Sequence, residues 1–327
     1  MATRTYLEAI REGMRDEMRR DERVMILGED VGAKGGVFGV TSGLQPEFGE
    51  WRVMDTPLAE SCIVGVAVGA ALNGMRPIAE IQFQDYILPA VNQLVNEAAK
   101  MRYRSNNDYG VPMVVRAPFG GGVHGSLYHS QSLEAMFCHV PGLKVVVPST
   151  PYDAKGMLVA ALRDPDPVLY FEHKRAYRSI KGEVPGEEYV VPLDRAAVVR
   201  EGGDIAVFTY GLMVHCCLEA ARTLSADGVE CEVVDLRSLR PLDRDAITRS
   251  AGKCGKVLIV QEANLAVSVA SEVAALVAEE CFEMLDAPVM RLGGPEIPAM
   301  PYSPPLEDFY LLNPGKVERK LRELAAY

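Results

Sequence analysis

Glu60 stands at the head of a run of small residues, ESCIVGVAVGAALNG, and one strand later comes the cluster Gln82-Phe83-Gln84-Asp85-Tyr86. Further on, Gly120-Gly121-Gly122 precedes two histidines, His124 and His129. A carboxylate, an aromatic face and a histidine are the groups that hold and activate a heteroaromatic cofactor. Blander roles exist for each. A first-turn glutamate suits the helix dipole without any ligand. Phe83 and Tyr86 could be core aromatics. Gln82, Gln84 and Asp85 are harder to place in a core. Polar residues between a buried strand and a helix fit the carboxyl end of a parallel strand, where α/β sheets bind ligands. Glu29 and Asp30 end an earlier strand in the same manner. A lone histidine is more often structural than catalytic. His129 follows a flexible loop, and imidazole is the side chain best suited to proton transfer near neutrality. His124 has the weaker case, as a residue that shapes the loop. His139, His173 and His215 have no supporting context.

What the chain lacks is equally informative. There is no Walker A sequence, no HExxH and no evident Ser-His-Asp arrangement. GGGVHG lacks the preceding strand, the GxGxxG spacing and the acidic residue of a dinucleotide fold. Nothing in the sequence reads as a site for a cofactor's phosphates.

These residues need a scaffold, and the pattern around them supplies one. Short segments rich in Val and Ile, at 24–27, 52–54, 77–82, 112–116, 144–147 and 168–171, alternate with helical patterns at 58–73, 88–104, 132–138 and 152–163. That rhythm predicts a parallel sheet with helices on both faces. Around 174–192 the pattern lapses into polar residues with Gly and Pro, as at an interdomain linker. A second α/β run follows, with strands at 205–210, 231–235, 257–261 and 289–291 and helices near 212–225 and 268–282. The stretch 293–305 carries five prolines and predicts an extended loop, and a last helix begins near Pro314. The expected domains are 1–178 and 195–327, joined by a linker at 179–194.

Composition narrows the function classes. The chain has 327 residues, 48% hydrophobic and 24% charged, which suits two α/β domains with real cores. A net charge of -11 argues against nucleic acid and fits a basic protein partner. Residues 193–327 carry 21 acidic against 14 basic side chains, most of that excess. The seven cysteines are scattered with no CxxC pair, so a disulfide framework or zinc site is not expected and a reducing cytoplasmic setting is. The first twenty residues form a charged amphipathic pattern without the apolar stretch of a secretory signal. No apolar run is long enough to span a membrane.

The motifs LGEDVG (27–32), DTPLAE (55–60), MRPIAEIQFQDYILPAVNQ (75–93), GGGVHGSLYHSQ (120–131), PGLKVVVPSTPYDAKG (141–156) and DPVLYFEHKRAYR (166–178) together carry a resemblance. So do HCCLEA, EVVDLRSLRPLD and GPEIPAMPY in the second half. The chain resembles, nearly end to end, the β subunit of the thiamine-diphosphate-dependent decarboxylating component of the 2-oxo acid dehydrogenase complexes. EIQFQDYILPA and SLYHSQS are most similar to the branched-chain 2-oxo acid type. The resemblance implies an α/β fold of two transketolase-like domains with mostly parallel sheets, the first binding the pyrimidine of the cofactor and the second of the transketolase C-terminal type. It implies an α2β2 heterotetramer, active only with an α subunit.

In the family the α subunit holds Mg²⁺ and the diphosphate through a GDG motif followed by an Asn pair. Here Asn106-Asn107 occurs with no GDG before it, so this chain is expected to bind only the pyrimidine half. By the same resemblance Glu60 bonds the ring nitrogen N1′, Tyr86 stacks on the aminopyrimidine, and Leu58, Ala59, Gln82 and Glu29 line the cofactor. Phe83, Gln84, Asp85, Tyr86 and His129 are the expected substrate-binding residues, and His129 is the acid in acyl transfer to the lipoyl disulfide. Members also carry a structural K⁺, whose mapped positions here are Met113, Ala161, Leu162, Asp164 and Asp166. Often the last of these is Asn. Expected partners are the α subunit and the lipoyl and peripheral-subunit-binding domains of the acyltransferase. Pyruvate or acetoin enzymes are the alternatives within the family. A non-catalytic assembly subunit docking the acyltransferase core is the alternative outside it, and the joint presence of Glu60, Tyr86 and His129 weighs against that role.

Overall fold

The computed structural model describes all residues from Met1 to Tyr327. The chain forms two compact units. The first comprises Met1–Phe119 and Met136–Leu193, and the second Gly120–Ala135 and Asp194–Tyr327. The glycine-rich loop thus belongs to the second unit.

In chain order the first part runs β1 (Ala2–Thr5), α1 (Tyr6–Arg20), β2 (Val24–Gly28), α2 (Leu44–Phe48), β3 (Val53–Asp55), α3 (Glu60–Leu72), β4 (Arg76–Glu80), α4 (Met101–Arg104), β5 (Val114–Phe119), α5 (Glu134–Cys138), β6 (Lys144–Val146), α6 (Pro151–Arg163), β7 (Val168–His173), α7 (Ala176–Ser179) and β8 (Lys181–Val184). Strands β6-β7-β5-β4-β2-β3 lie side by side in that order, all parallel. The central strands β2, β5 and β7 are buried throughout, which explains why they are mostly apolar, with the polar exceptions Arg116, Glu172 and His173. Helix α1 starts with a capping box. Thr5 Oγ accepts from the Glu8 amide at 3.2 Å, and the Glu8 carboxylate accepts from the Thr5 amide at 2.8 Å.

Two features depart from the sequence expectation. Residues 88–104 do not form one helix. A 3₁₀ stretch, Gln84–Ala90, contains Pro89, and a π-helical turn, Gln93–Ala98, separates it from α4. Pro89 has no amide hydrogen and cannot continue a regular α-helical ladder. Within 179–194, the expected linker, β8 pairs antiparallel with β1. Both strands are short and largely polar, so neither gives an apolar run to read.

The second unit contains β9 (Ala197–Arg200), β10 (Ile205–Thr209), α8 (Met213–Ser225), β11 (Cys231–Asp235), β12 (Ser238–Arg240), α9 (Arg244–Cys254), β13 (Val257–Asn264), α10 (Val269–Glu280), β14 (Met290–Gly294), α11 (Pro304–Tyr310) and α12 (Pro314–Ala325). Its five-stranded sheet has the order β14-β13-β10-β11-β9, with β9 antiparallel at the edge. Val207, Val233, Leu258 and Val260 from the sheet meet Cys217, Ala221 and Leu224 of α8 and Val317, Leu321 and Leu324 of α12 in one core. The proline-rich segment ends by starting a helix, because Pro304 and Pro305 occupy first-turn positions where no amide hydrogen is needed. No helix is long and apolar enough to cross a membrane, and all seven cysteines are free.

Candidate active site

The carboxyl ends of β2, β3 and β4 bring Glu29, Glu60, Gln82 and Tyr86 of the first unit together. Thr56 donates its amide to the Gly28 carbonyl at 3.0 Å, which ties the segment leading to Glu60 onto the end of β2. Gly28 must be glycine, since a Cβ there would lie 2.7 Å from the Glu80 carbonyl oxygen. Glu60 is the first residue of α3, whose preceding residue, Ala59, offers no side-chain cap. The helix start therefore keeps its orphan amides and favours the carboxylate. Gln82 Nε2 reaches the Glu29 carbonyl at 3.5 Å. Burial first, then the like charges of Asp30 and Glu60, push the Glu29 carboxyl above its usual range. Burial, then Asp85, Glu60 and Glu29, raise the Tyr86 phenol as well. Acidic groups and an aromatic ring thus share one electrostatic environment, which favours a ligand that brings a proton or positive charge.

The ring of Tyr86 meets Phe83 edge-on at 5.9 Å, and Phe83 meets Phe38 at 5.5 Å. Lys174 Nζ lies 5.5 Å from the centre of the Phe83 ring, a cation–π contact. Leu58 is 70% exposed, an apolar side chain beside these acids with little protein over it. Gln84 and Asp85, expected to contact substrate, are taken inside by the backbone turn after β4. Gln84 is 0% exposed and Asp85 is 6% exposed.

Beneath this end of the sheet lies a buried ion cluster. Arg116 donates to Glu80 at 2.5 Å and to Glu172 at 2.5 and 2.7 Å, and the Tyr177 hydroxyl donates to Glu172 at 2.6 Å. The cluster joins β4, β5 and β7 and fixes the strand that leads into Gln82. Another anchor, Asp55, accepts from the Gly32 amide at 2.6 Å and from Ala33 at 3.3 Å, which shapes the loop after Glu29. Asp55, Phe38 and Lys174 were not singled out from the sequence as site neighbours, because each reaches the site only through the fold.

In the second unit the glycine-rich loop is held by two buried carboxylates. Glu262 accepts from the Gly121 amide at 2.7 Å. Glu307 accepts from the amides of Gly122 at 3.0 Å and His124 at 3.3 Å, and pairs with His124 Nδ1 at 2.5 Å. His124 therefore shapes the loop, adopting a positive φ of 55°. His129 follows a 3₁₀ turn, Ser126–Tyr128, and is half-buried. Gly125 packs beneath it, where a Cβ would come 2.7 Å from the Cβ of His129. Glu307 escaped notice in the sequence because it follows two prolines in what read as a loop.

At the end of the same loop, Glu134 accepts from the Tyr210 hydroxyl at 2.6 Å. Burial raises its carboxyl to about 7, with the Tyr210 bond and a backbone amide opposing and the Glu262 charge assisting. Between the ordinary 4.5 and about 7, the folded protein keeps a proton that the unfolded chain has released. Stability contributed by this group is therefore lost as pH rises across that window, by about 1.4 kcal/mol per pH unit at most. Glu134→Gln stays neutral throughout. Its melting temperature relative to wild type is expected to climb from pH 4.5 to 7 and then level off. A pH-independent difference would show that Glu134 is ionised throughout.

The five positions mapped to a K⁺ site lie at the start of β5 and the end of α6. Arg76 Nη1 donates to the carbonyls of Leu162 at 2.7 Å and Asp164 at 3.2 Å. The Asp166 carboxylate accepts from Arg102 Nε at 2.5 Å, and that of Asp164 pairs with Lys144. The carbonyls of Met113 and Ala161 accept backbone amides from Val168 and Asp164. Asn106 and Asn107 have φ of 55° and 71° and close a turn after α4, which accounts for the pair without a ligand.

Comparison with known proteins places these observations. Residues 2–180 match the family model "Transketolase, pyrimidine binding domain", and residues 194–317 match "Transketolase, C-terminal domain". The chain is 62% identical, over the full length of both proteins, to the 2-oxoisovalerate dehydrogenase subunit beta of Bacillus subtilis. It is 49% identical to the pyruvate dehydrogenase E1 component subunit beta of the same organism, covering 90% of this chain and 91% of that one. Among solved structures, a split-gene transketolase described as an inactive beta4 tetramer superposes with a TM-score of 0.81 at 22% identity, over 98% of each chain, and so shares the fold.

Proposed function

This chain belongs to the β subunits of the thiamine-diphosphate-dependent 2-oxo acid dehydrogenases, and on that premise we propose that it supplies the pyrimidine half of the cofactor site in a branched-chain 2-oxo acid dehydrogenase. The observation that carries this reading is the meeting of Glu29, Glu60 and Tyr86 in one electrostatic environment. That donor set fits an aminopyrimidine, which offers a ring nitrogen to a carboxyl and a flat face to an aromatic ring.

When bound, thiamine diphosphate supplies the nucleophile that attacks the 2-oxo carbon and accommodates the electrons left as CO₂ departs. The residues of this chain prepare that step. Glu60 bonds N1′ of the pyrimidine and holds the proton there. Glu29, steadied by its carbonyl bond to Gln82, completes the polar network. Tyr86 stacks on the ring, a contact worth about 1 kcal/mol beyond area burial. Leu58 and Ala59 line the cofactor and exclude water from it. Phe83, Gln84, Asp85 and Tyr86 bind the substrate, Gln84 and Asp85 from buried positions. His129 delivers a proton to the leaving lipoyl sulfur during acyl transfer.

The missing GDG motif leaves Mg²⁺ and the diphosphate to an α subunit, giving an α2β2 assembly. The acidic second unit suits a basic peripheral-subunit-binding domain of the acyltransferase, by a contact that weakens with salt. Work in a cytoplasmic setting accords with seven free thiols.

Identity favours the branched-chain substrate over pyruvate, 62% against 49%. Paired with its α chain, the protein is expected to turn over 3-methyl-2-oxobutanoate with a kcat/KM at least about tenfold above that for pyruvate, since even one methylene can give that discrimination and these substrates differ by two carbons. Equal or higher efficiency with pyruvate would move the assignment to the pyruvate type.

A further inference from the structure

The residues mapped to the family's K⁺ position do not fit a cation, because a side chain of this chain already stands there. We infer that Arg76 takes the structural place of the monovalent ion, so that the first unit holds its shape without K⁺. Leu162 lies in the last turn of α6, where carbonyls have no helical partner and the helix dipole is negative. A positive charge is favoured at that point. Arg76 brings one from the first residue of β4, and its Nη1 spans the carbonyls of Leu162 at 2.7 Å and Asp164 at 3.2 Å. The guanidinium side chain is 19% exposed, and its Nε lies 3.9 Å from the Asp21 carboxylate.

The remaining groups are also committed. Asp164 Oδ1 accepts from the Asp166 amide at 2.9 Å, Asp164 Oδ2 pairs with Lys144, and Asp166 pairs with Arg102 at 2.5 Å. A K⁺ sharing the Leu162 and Asp164 carbonyls would sit against a permanent guanidinium charge with no carboxylate free to offset it. A guanidinium is planar, weakly hydrated and always protonated, which suits it to bridge two carbonyls in a partly dry place. Unlike a bound ion it is covalently fixed to β4, whose far end carries the turn with Gln82 and Tyr86.

The test is thermal unfolding of the full chain with its α partner, in KCl, NaCl or choline chloride at equal ionic strength. Wild type is expected to melt at one temperature in all three. Arg76→Ala is expected to melt at least roughly 2–4 °C lower in choline chloride, and KCl should restore part of the loss with a saturable dependence. A wild-type melting temperature that climbs saturably with K⁺, a variant that melts like wild type, or a loss that K⁺ does not repair would each overturn the inference. Should Arg76→Ala not be recovered folded, Arg76→Lys carries the test. It keeps the charge and should stay insensitive to K⁺, and a K⁺ response in it would contradict the proposal.

Discussion

Glu60→Gln is expected to lower 2-oxo acid decarboxylation by roughly 10²–10⁴-fold, the range of general acid–base catalysis, while leaving the subunit folded and assembled. The amide has the size of the carboxyl but cannot hold a proton in exchange with the pyrimidine nitrogen. Stability should survive because Glu60 is partly exposed at the start of α3 and forms no ion pair. One change in the protein itself is expected. The like charge of Glu60 is among the causes that raise Glu29, so its removal should let the Glu29 carboxyl titrate lower. Turnover with an artificial electron acceptor, with assembly followed by sedimentation, checks both halves of the expectation. Near-normal turnover by an assembled Glu60→Gln enzyme would remove Glu60 from the chemistry.

His129→Ala should separate the two half-reactions. Decarboxylation, read with a dye acceptor, does not require a proton to reach a leaving sulfur, whereas lipoyl acylation does. The loss in acylation is therefore expected to exceed the loss in dye-coupled decarboxylation by roughly 10²–10⁴-fold. The competing role is purely structural. His129 packs directly over Gly125, and a residue that only positions the loop would depress both assays together. Glu307→Gln gives the comparison, because Glu307 grips the same loop through the amides of Gly122 and His124 without being placed in the chemistry. It should impair both half-reactions in parallel. Parallel losses in His129→Ala would make His129 a positioning residue like Glu307.

The parallel architecture was legible because buried strands open with short apolar runs, Val24–Leu27 in β2 and Val168–Phe171 in β7. The β1–β8 ribbon was not, because strand pairing between two polar segments far apart leaves no periodic mark. The break in 88–104 was signalled only by Pro89, against an otherwise helical pattern. At the site, Glu29, Gln82 and Tyr86 stood at or just after predicted strand ends and Glu60 at the head of a predicted helix, which is why they were singled out. Gln84 and Asp85 were read by the same logic, and the 3₁₀ turn holds both in the interior. Glu262 and Glu307 were invisible for a different reason. A carboxylate that accepts backbone amides from a loop over a hundred residues away has no local signature. Arg76 likewise reads as an ordinary surface arginine until α6 ends against it.

The division of the cofactor between two chains is the centre of the account, and calorimetric titration of thiamine diphosphate with Mg²⁺ tests it most directly. The isolated chain carries the residues proposed to bind the pyrimidine but no GDG motif, so it should give no tight, saturable heat. The same chain assembled with its α partner should bind tightly and in a Mg²⁺-dependent manner. Tight Mg²⁺-dependent binding by the isolated chain would contradict the account, because it would require a diphosphate site within this sequence.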